Sequence, residues 1–354
     1  MHAFDIEGVS RKSTVLVGER LQELVRYLPA GRTVIITDEN ILRLHREEFP
    51  VFPVLTIGTG EGVKTLDTVR GLYASLVELE ADRSTFLVGI GGGIVCDVTG
   101  FTAATFMRGL RFGFVATTLL AQVDASVGGK NGVNLEGYKN IVGSFSQPEF
   151  VLCDLQLLRT LPGTELVNGM AEIAKHAMIA DAAMFAFMEA HAERALALDS
   201  PVIERLVRDS VRIKAAVVGR DERETGERRT LNFGHTFGHA LEKVGRFSHG
   251  EAVAIGMALA AAISVRRGRL AAAAHDRIIR LLKQLHLPCA ASIDLLHLAD
   301  AVRRDKKRAG ETIHFVLLND IGQAAVKEIG IDELMRLAGD VPDIIRNVSG
   351  RFRA

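Results

Sequence analysis

Residues Phe86–Asp97 read FLVGIGGGIVCD, a β-branched apolar run that enters three glycines and leaves as a second apolar run ending in Asp97. The first half is the pattern of a buried strand. The glycines mark a tight turn, and Ile94 onward opens a helix. Without Cβ atoms at Gly92 and Gly93, backbone N–H groups can approach a pyrophosphate at the positive end of the helix dipole. The triplet departs from the G-x-G-x-x-G fingerprint, and it also suits a tight strand–helix turn with no ligand. Working outward, Thr14–Val17, Thr33–Thr37, Val54–Ile57, Gly113–Thr117 and Phe150–Cys153 read as further strands, with helical patterns at Glu19–Leu28 and Thr65–Leu79. This alternation argues for a parallel or mixed sheet covered by helices. Asp38 ends one strand, where a carboxylate can accept from ribose hydroxyls, and Glu61 and Lys64 follow another. All three then lie at the carboxyl edge, where open α/β sheets bind ligands.

After about Asp154 the character changes. Long Ala- and Leu-rich amphipathic segments follow at Glu165–Ile179, Pro201–Val218, Leu231–Val244, Glu251–Arg267 and His275–Leu285. Only Ile313–Leu318 and Ala324–Glu328 read as strands there, forming a hairpin. The expected organisation is an α/β, Rossmann-like nucleotide-binding domain over 1–155 and a mostly α-helical metal- and substrate-binding domain over 156–354, with ligands held in the cleft between them.

Composition narrows the function class. The chain has 354 residues, 48% hydrophobic and 24% charged, as in a two-domain globular protein. Its 43 basic and 43 acidic residues cancel, so no global field recruits nucleic acid or a membrane surface. Apolar runs are interrupted well before membrane-spanning length, and the N-terminus lacks a signal-peptide pattern. The three cysteines are widely spaced and odd in number, pointing to a reducing compartment, by default the cytosol.

The stretch Leu231–Glu242, LNFGHTFGHALE, followed by Ser248-His249-Gly250-Glu251, carries the clearest chemistry. His235 and His239 are four apart and share a helix face, and His249 can return to that face from the start of the next helix. Such histidines are metal-ligand candidates, and spacing alone makes His239 the partner of His235. Satisfied core histidines are the blander reading.

Three more segments join these: Ala116–Lys130 (ATTLLAQVDASVGGK), Tyr138-Lys139-Asn140 and Gly169–Lys175 (GMAEIAK). In this order the set closely resembles the 3-dehydroquinate synthases of the sugar phosphate cyclase family, from about Asp38 to Lys307. The resemblance implies a dehydroquinate synthase-like fold, catalytic NAD and a zinc-type divalent ion (Zn2+ or Co2+). It assigns the metal to Glu172, His235 and His249, and moves His239 to the substrate. It implies substrate-binding roles for Asp124, Lys130, Asn140, Lys175, Lys214, Arg228, Asn232, His239 and the Lys306-Lys307 pair. Of these Lys175, His239, Asp124, Lys130, Asn140 and Arg228 are the expected catalytic set. Arg108 resembles the family arginine that reaches the phosphate of a neighbouring subunit, which implies a homodimer. The nucleotide set becomes Asp38, Asn40, Glu61, Lys64, Gly92, Gly93, Asp97, Thr117, Thr118, Lys130 and Lys139.

The implied substrate is a small sugar acid phosphate, 3-deoxy-arabino-heptulosonate 7-phosphate. Its conversion to 3-dehydroquinate runs through alcohol oxidation, loss of phosphate, re-reduction, ring opening and aldol closure. Cations gathered at motif positions in a chain of zero net charge imply a focused pocket for such an anion. Asn131, Leu135 and Tyr138 depart from the commonest family pattern without removing a catalytic group. The rival readings are another cyclase such as the amino-dehydroquinate enzyme, a metal-dependent polyol or alcohol dehydrogenase, and a catalytically silent nucleotide-binding module.

Overall fold

The computed structural model describes residues 1–8, 11–245, 247–306 and 312–347, with backbone alone for 304–306 and 347. In chain order the strands are β1 (His2–Glu7), β2 (Lys12–Val17), β3 (Thr33–Asp38), β4 (Val54–Ile57), β5 (Phe86–Gly91), β6 (Arg111–Ala116), β7 (Lys130–Leu135), β8 (Tyr138–Phe145), β9 (Phe150–Cys153), β10 (Ala291–Ile293), β11 (Thr312–Asp320), β12 (Gln323–Gly330) and β13 (Ile345–Asn347). The helices are α1 (Glu39–His45), α2 (Leu66–Glu78), α3 (Gly93–Thr105), α4 (Gly163–Ala180), α5 (Ala182–Leu196), α6 (Ser200–Arg220), α7 (His235–Val244), α8 (His249–Arg266), α9 (Ala272–Gln284), α10 (Leu295–Lys306) and α11 (Ile331–Gly339).

The chain divides into two compact units. One comprises Met1–Leu166 and Ile203–Arg223, the other Val167–Val202 and Glu224–Ala354. A break at 155/156 therefore falls inside the first unit, and most of α6 returns to it. The sequence pattern does not reveal this return, because an amphipathic helix reads alike whichever core covers its apolar face.

The first unit holds a seven-stranded sheet in the order β1-β2-β9-β6-β5-β3-β4, parallel except for β1 against β2. Every residue of β5 is buried, as expected of a central parallel strand covered on both faces. Its side chains Phe86, Val88 and Ile90 pack with Ile35, Val115, Phe150 and Leu152 in one core cluster. The parallel register sends the ends of β3, β5 and β6 to one edge. Sequence reading missed β1 and the β7–β8 hairpin. It also placed a helix at Glu19–Leu28, where a shorter 3₁₀ segment spans Leu21–Tyr27.

The second unit is mainly helical, with β11 and β12 forming the expected antiparallel hairpin and a short parallel β10–β13 pair. At its centre α8 is almost wholly buried from Gly250 to Ser264, as its Ala-rich apolar sequence requires. No helix among the described residues is long and apolar enough to cross a membrane.

The candidate metal centre and nucleotide edge

Leu231–Val244 is not one helix. A 3₁₀ segment spans Glu227–Asn232, and α7 begins only at His235 because Gly234 takes a left-handed backbone (φ +83°) that other residues adopt only with strain. The turn packs Gly234 directly on α8. A Cβ there would lie 2.8 Å from both the Met257 nitrogen and the Val253 oxygen. Gly256 on α8 answers it, since a Cβ at that position would lie 2.0 Å from the Gly234 carbonyl oxygen. Two backbones in this proximity bring the starts of α7 and α8 together, and the His235 and His249 rings lie 5.6 Å apart.

His249 is the first residue of α8. The Ser248 amide donates to Glu251 Oε2 (2.8 Å), the reciprocal half of a capping box. Asn168 of α4 grips the same turn. Its Oδ1 accepts from the Gly250 amide at 3.1 Å and lies 2.7 Å from Ser248 Oγ. One helical turn further along α4 stands Glu172, so a single helix carries both the anchor of the His249 turn and the carboxylate that faces it.

Glu172 is fully buried. The Nε2 atoms of His235 and His249 each lie 3.5 Å from its Oε1, and Lys175 contacts its Oε2. Oε1 thus faces the two imidazole nitrogens, and Oε2 the Lys175 ammonium. Two donors bound to one zinc-type ion at tetrahedral angles stand about 3.4 Å apart. One carboxylate and two imidazoles, mutually spaced for a shared cation and short of hydrogen bonding each other, therefore fit a divalent metal. His239 is outside this trio. Its ring lies perpendicular to that of His235, with centroids 5.4 Å apart.

The electrostatics agree. Burial alone would raise Glu172, but Lys175 and the two histidines hold it well below the usual carboxylate range. Burial and the Lys175 charge lower His235 to about 3, leaving a neutral imidazole of the form that ligates metals. Burial also opposes charge on His249, yet contacts with Glu172 and Glu242 outweigh it and raise this ring to about 10. A positive charge is thus favoured beside Glu172 even without an ion.

In the same unit, Arg228 is buried and Asn232 donates its side-chain amide to Glu224. Lys307 and the Lys306 side chain lie outside the described residues. In the first unit, Asp124 sits in a π-helical turn (Ala121–Ala125), and its carbonyl and Oδ1 both receive Lys214 Nζ at 2.5 Å. The sequence carried no sign of this turn. Lys130, Lys139 and Asn140 are exposed on the β7–β8 hairpin, where Asn140 has positive φ and donates its amide to Asn134. Arg108 is exposed at a strained corner, Met107-Arg108-Gly109, with φ of 50°, 70° and 121°.

The nucleotide candidates gather at the carboxyl ends of β3–β6. Gly92 caps α3 without a side-chain partner, and its missing Cβ would meet Thr118 at 3.0 Å. Gly91 is required by the fold itself, because a Cβ there would overlap Val95 at 2.4 Å. The glycine triplet therefore serves packing as well as any ligand. Thr117 is buried and Thr118 half-buried just past β6. Asp38 Oδ1 caps α1 by accepting from Ile41, Asn40 is exposed beside it, and Glu61 accepts from Asn134 at 2.7 Å. Lys64 is buried and bonded to Asp97, whose carboxyl burial pushes up to about 6 against the opposing Lys64 charge.

Lys64→Met is expected to strand that carboxylate. The folded value of Asp97 already exceeds its ordinary 3.8, so its ionisation opposes folding as pH rises through 6. Loss of Lys64 enlarges the effect. Urea unfolding should show a deficit of about 3 kcal/mol at pH 8 that shrinks toward pH 4; an equal deficit at both pH values would contradict this account.

Known families match both halves of the chain. Residues 54–168 fit the family model described as 3-dehydroquinate synthase N-terminal, and residues 169–308 fit 3-dehydroquinate synthase C-terminal. The chain belongs to the 3-dehydroquinate synthase family. A relative named 3-dehydroquinate synthase from Halorhodospira halophila is 40% identical over 332 residues, 91% of this chain and 94% of its own. Among solved structures, a 2-deoxy-scyllo-inosose synthase complexed with carbaglucose-6-phosphate, NAD+ and Co2+ superposes with a TM-score of 0.85 at 27% identity, covering 96% of this chain and 100% of its own. A 2-epi-5-epi-valiolone synthase from Streptomyces hygroscopicus subsp. jinggangensis with NAD+ and Zn2+ does so at 0.86 and 25%, covering 97% and 99%. The dehydroquinate synthase family thus accounts for both the α/β first unit and the helical second one.

Proposed function

We propose that this chain is a 3-dehydroquinate synthase, a carbon–oxygen lyase acting on a phosphate. It converts 3-deoxy-D-arabino-heptulosonate 7-phosphate into 3-dehydroquinate and inorganic phosphate, a step of aromatic amino acid biosynthesis through the shikimate pathway. The observation that carries the reading is the buried convergence of Glu172, His235 and His249 beside Lys175, in a chain matched to this family over both halves. The cofactors are NAD and a divalent ion, Zn2+ or Co2+, as supported by the two structural neighbours that hold NAD+ with Co2+ or Zn2+.

A bound ion would supply polarisation of substrate hydroxyls, and NAD a reversible hydride transfer with no net oxidation. The protein's own groups bind and orient. Glu172, His235 and His249 hold the ion. Arg228 is buried, and its planar fork suits the substrate carboxylate, with Asn232 beside it. Lys175 keeps a cation at the site, and His239 exchanges protons with the substrate at a ring nitrogen. Asp124, held by Lys214, meets a substrate hydroxyl, while Lys130, Asn140, Lys306 and Lys307 complete the anion-binding set. Asp38, Asn40, Glu61, Lys64, Gly92, Gly93, Asp97, Thr117, Thr118, Lys130 and Lys139 form the nucleotide site. Departing phosphate oxygens serve as the base for their own elimination, in keeping with the lack of a dedicated carboxylate base in the assigned set.

The protein acts as a homodimer, with Arg108 directed to the partner's phosphate. In support, the β7–β8 hairpin carries Leu135, Tyr138, Ile141 and Phe145 exposed at the surface. The three cysteines are thiols, consistent with the cytoplasm.

Another sugar phosphate cyclase is the second reading, because the two solved neighbours are such enzymes. Their identity of 25–27% against 40% for the dehydroquinate synthase relative favours the first. The purified protein, incubated with the heptulosonate phosphate, catalytic NAD and Zn2+, should release phosphate and form dehydroquinate without accumulating NADH. Stoichiometric NADH from a simple polyol, with no phosphate released, would instead assign it to the metal-dependent dehydrogenases.

A further inference from the structure

The two metal-facing imidazoles are oriented by different partners. His235 Nδ1 donates to the Phe233 backbone carbonyl at 3.3 Å, a neutral acceptor supplied by the residue that follows the 3₁₀ segment before α7. His249 Nδ1 lies 3.3 Å from Glu242 Oε1, a carboxylate whose side chain is 8% exposed. We propose that Glu242 is the positioning residue of the metal centre, holding the His249 ring with Nε2 aimed at the Glu172 side.

The argument is one of tautomer and direction. A ligating imidazole presents the lone pair of one nitrogen, so the other must carry the proton and needs an acceptor. Nε2 of His249 faces Glu172 Oε1 at 3.5 Å, which leaves Nδ1 to carry that proton. Glu242 is the acceptor there. It sits two turns after His235 on the same face of α7, so this helix supplies one ligand and orients another. The ring of His249 is also the more exposed, with 30% of its side chain accessible against 11% for His235. Packing restrains it less, and its orientation depends more on this bond. An acceptor carboxylate also makes the ligating nitrogen more basic than a carbonyl does.

The inference rests on the assignment of His249 as a ligand, and the test separates the two. Zinc dissociation constants of the metal-free protein are measured by chelator competition for wild type, Glu242→Gln, Glu242→Ala and His249→Ala, with thermal midpoints of the metal-free forms alongside. Glu242→Ala should bind Zn2+ roughly 10- to 100-fold more weakly at an unchanged metal-free midpoint. Glu242→Gln, which keeps an acceptor oxygen but no charge, should fall between it and wild type. The visible bands of the Co2+-loaded variants should shift as the His249 ring reorients. Wild-type affinity in both Glu242 variants, with metal lost in His249→Ala, overturns the positioning role alone. Equal weakening in both, tracking a fall in metal-free stability, assigns Glu242 to packing and overturns it as well. Wild-type affinity in His249→Ala overturns the ligand assignment itself.

Discussion

Glu172→Gln and His235→Ala are each expected to empty the purified protein of its divalent metal and to abolish turnover, while His239→Ala keeps the metal and loses activity. The contrast follows from geometry. Glu172 Oε1 has one imidazole nitrogen on either side at 3.5 Å, and His239 is not in that group. Polarisation by a bound ion is worth several kcal/mol of barrier, and about 4 kcal/mol already corresponds to roughly a thousandfold in rate. Glutamine is the substitution of choice at 172, because it keeps the volume of a fully buried side chain. It still takes from Lys175 the charge it contacts, so the variant's stability should be followed by calorimetry beside its metal content. Elemental analysis decides the assignment: metal missing from His239→Ala as well would remove the distinction between ligand and substrate-facing histidine.

Gly256→Ala is expected to unseat the whole centre from a distance. The added Cβ would lie 2.0 Å from the Gly234 oxygen, 2.9 Å from its carbonyl carbon and 3.0 Å from the Gly238 nitrogen, all main-chain atoms. No side chain can rotate away to relieve such contacts, so α7 must move off α8. Overpacking of this kind costs about 3 kcal/mol, and more where backbone has to shift. Because His235 opens α7 and His249 opens α8, separation of the helices parts the two proposed ligands at once. Gly71→Ala is the control. It lies on exposed α2 with nothing within 4 Å of the new Cβ, and it should stabilise by about 1 kcal/mol. Denaturant unfolding and metal content of the two variants make the comparison. A Gly256→Ala protein with wild-type midpoint and full metal would show that the close approach of α7 and α8 is not what spaces the ligands.

Much of the fold was legible in local sequence. β4 and β9 were read at their full extents, and β2, β3, β5 and β6 to within a few residues at either end, because β-branched runs between turn signals are short and unambiguous. The β11–β12 hairpin was read for the same reason. Errors came where a tertiary partner overrides propensity. Glu19–Leu28 has helical periodicity, but the segment is a shorter 3₁₀ stretch, Leu21–Tyr27, tied at its start by the Leu21 amide donating to the Asp154 carboxylate at 2.9 Å. Leu231–Val244 has it too, and breaks at Gly234 because the chain must turn there against Met257 and Val253. Of the site, His235, His239 and His249 were legible as a group of metal-ligand candidates. Asn168 and Glu242 were not, since an asparagine and a glutamate on helices are ordinarily surface residues.

The sequence by itself determined the classes of element and the chemistry available: a buried strand running into a glycine turn, three histidines in one short stretch, and lysines and arginines at motif positions. Only the tertiary structure shows how His235 and His249, the pair that the resemblance implies and spacing does not, come to share a carboxylate. Residues four apart on a helix share one face, as His235 and His239 do, and such a pair can ligate a metal, but the group formed here around Glu172 is His235 with His249 and leaves His239 outside. That arrangement needs a second backbone brought close enough to present His249 opposite Glu172. The approach is made by hydrogens where side chains would otherwise stand, at Gly234, Gly250 and Gly256. A glycine's place in the sequence does not say what it will lie against, and so the packing of α7, α8 and α4 that sets His235 beside His249 could not be derived from residue spacing.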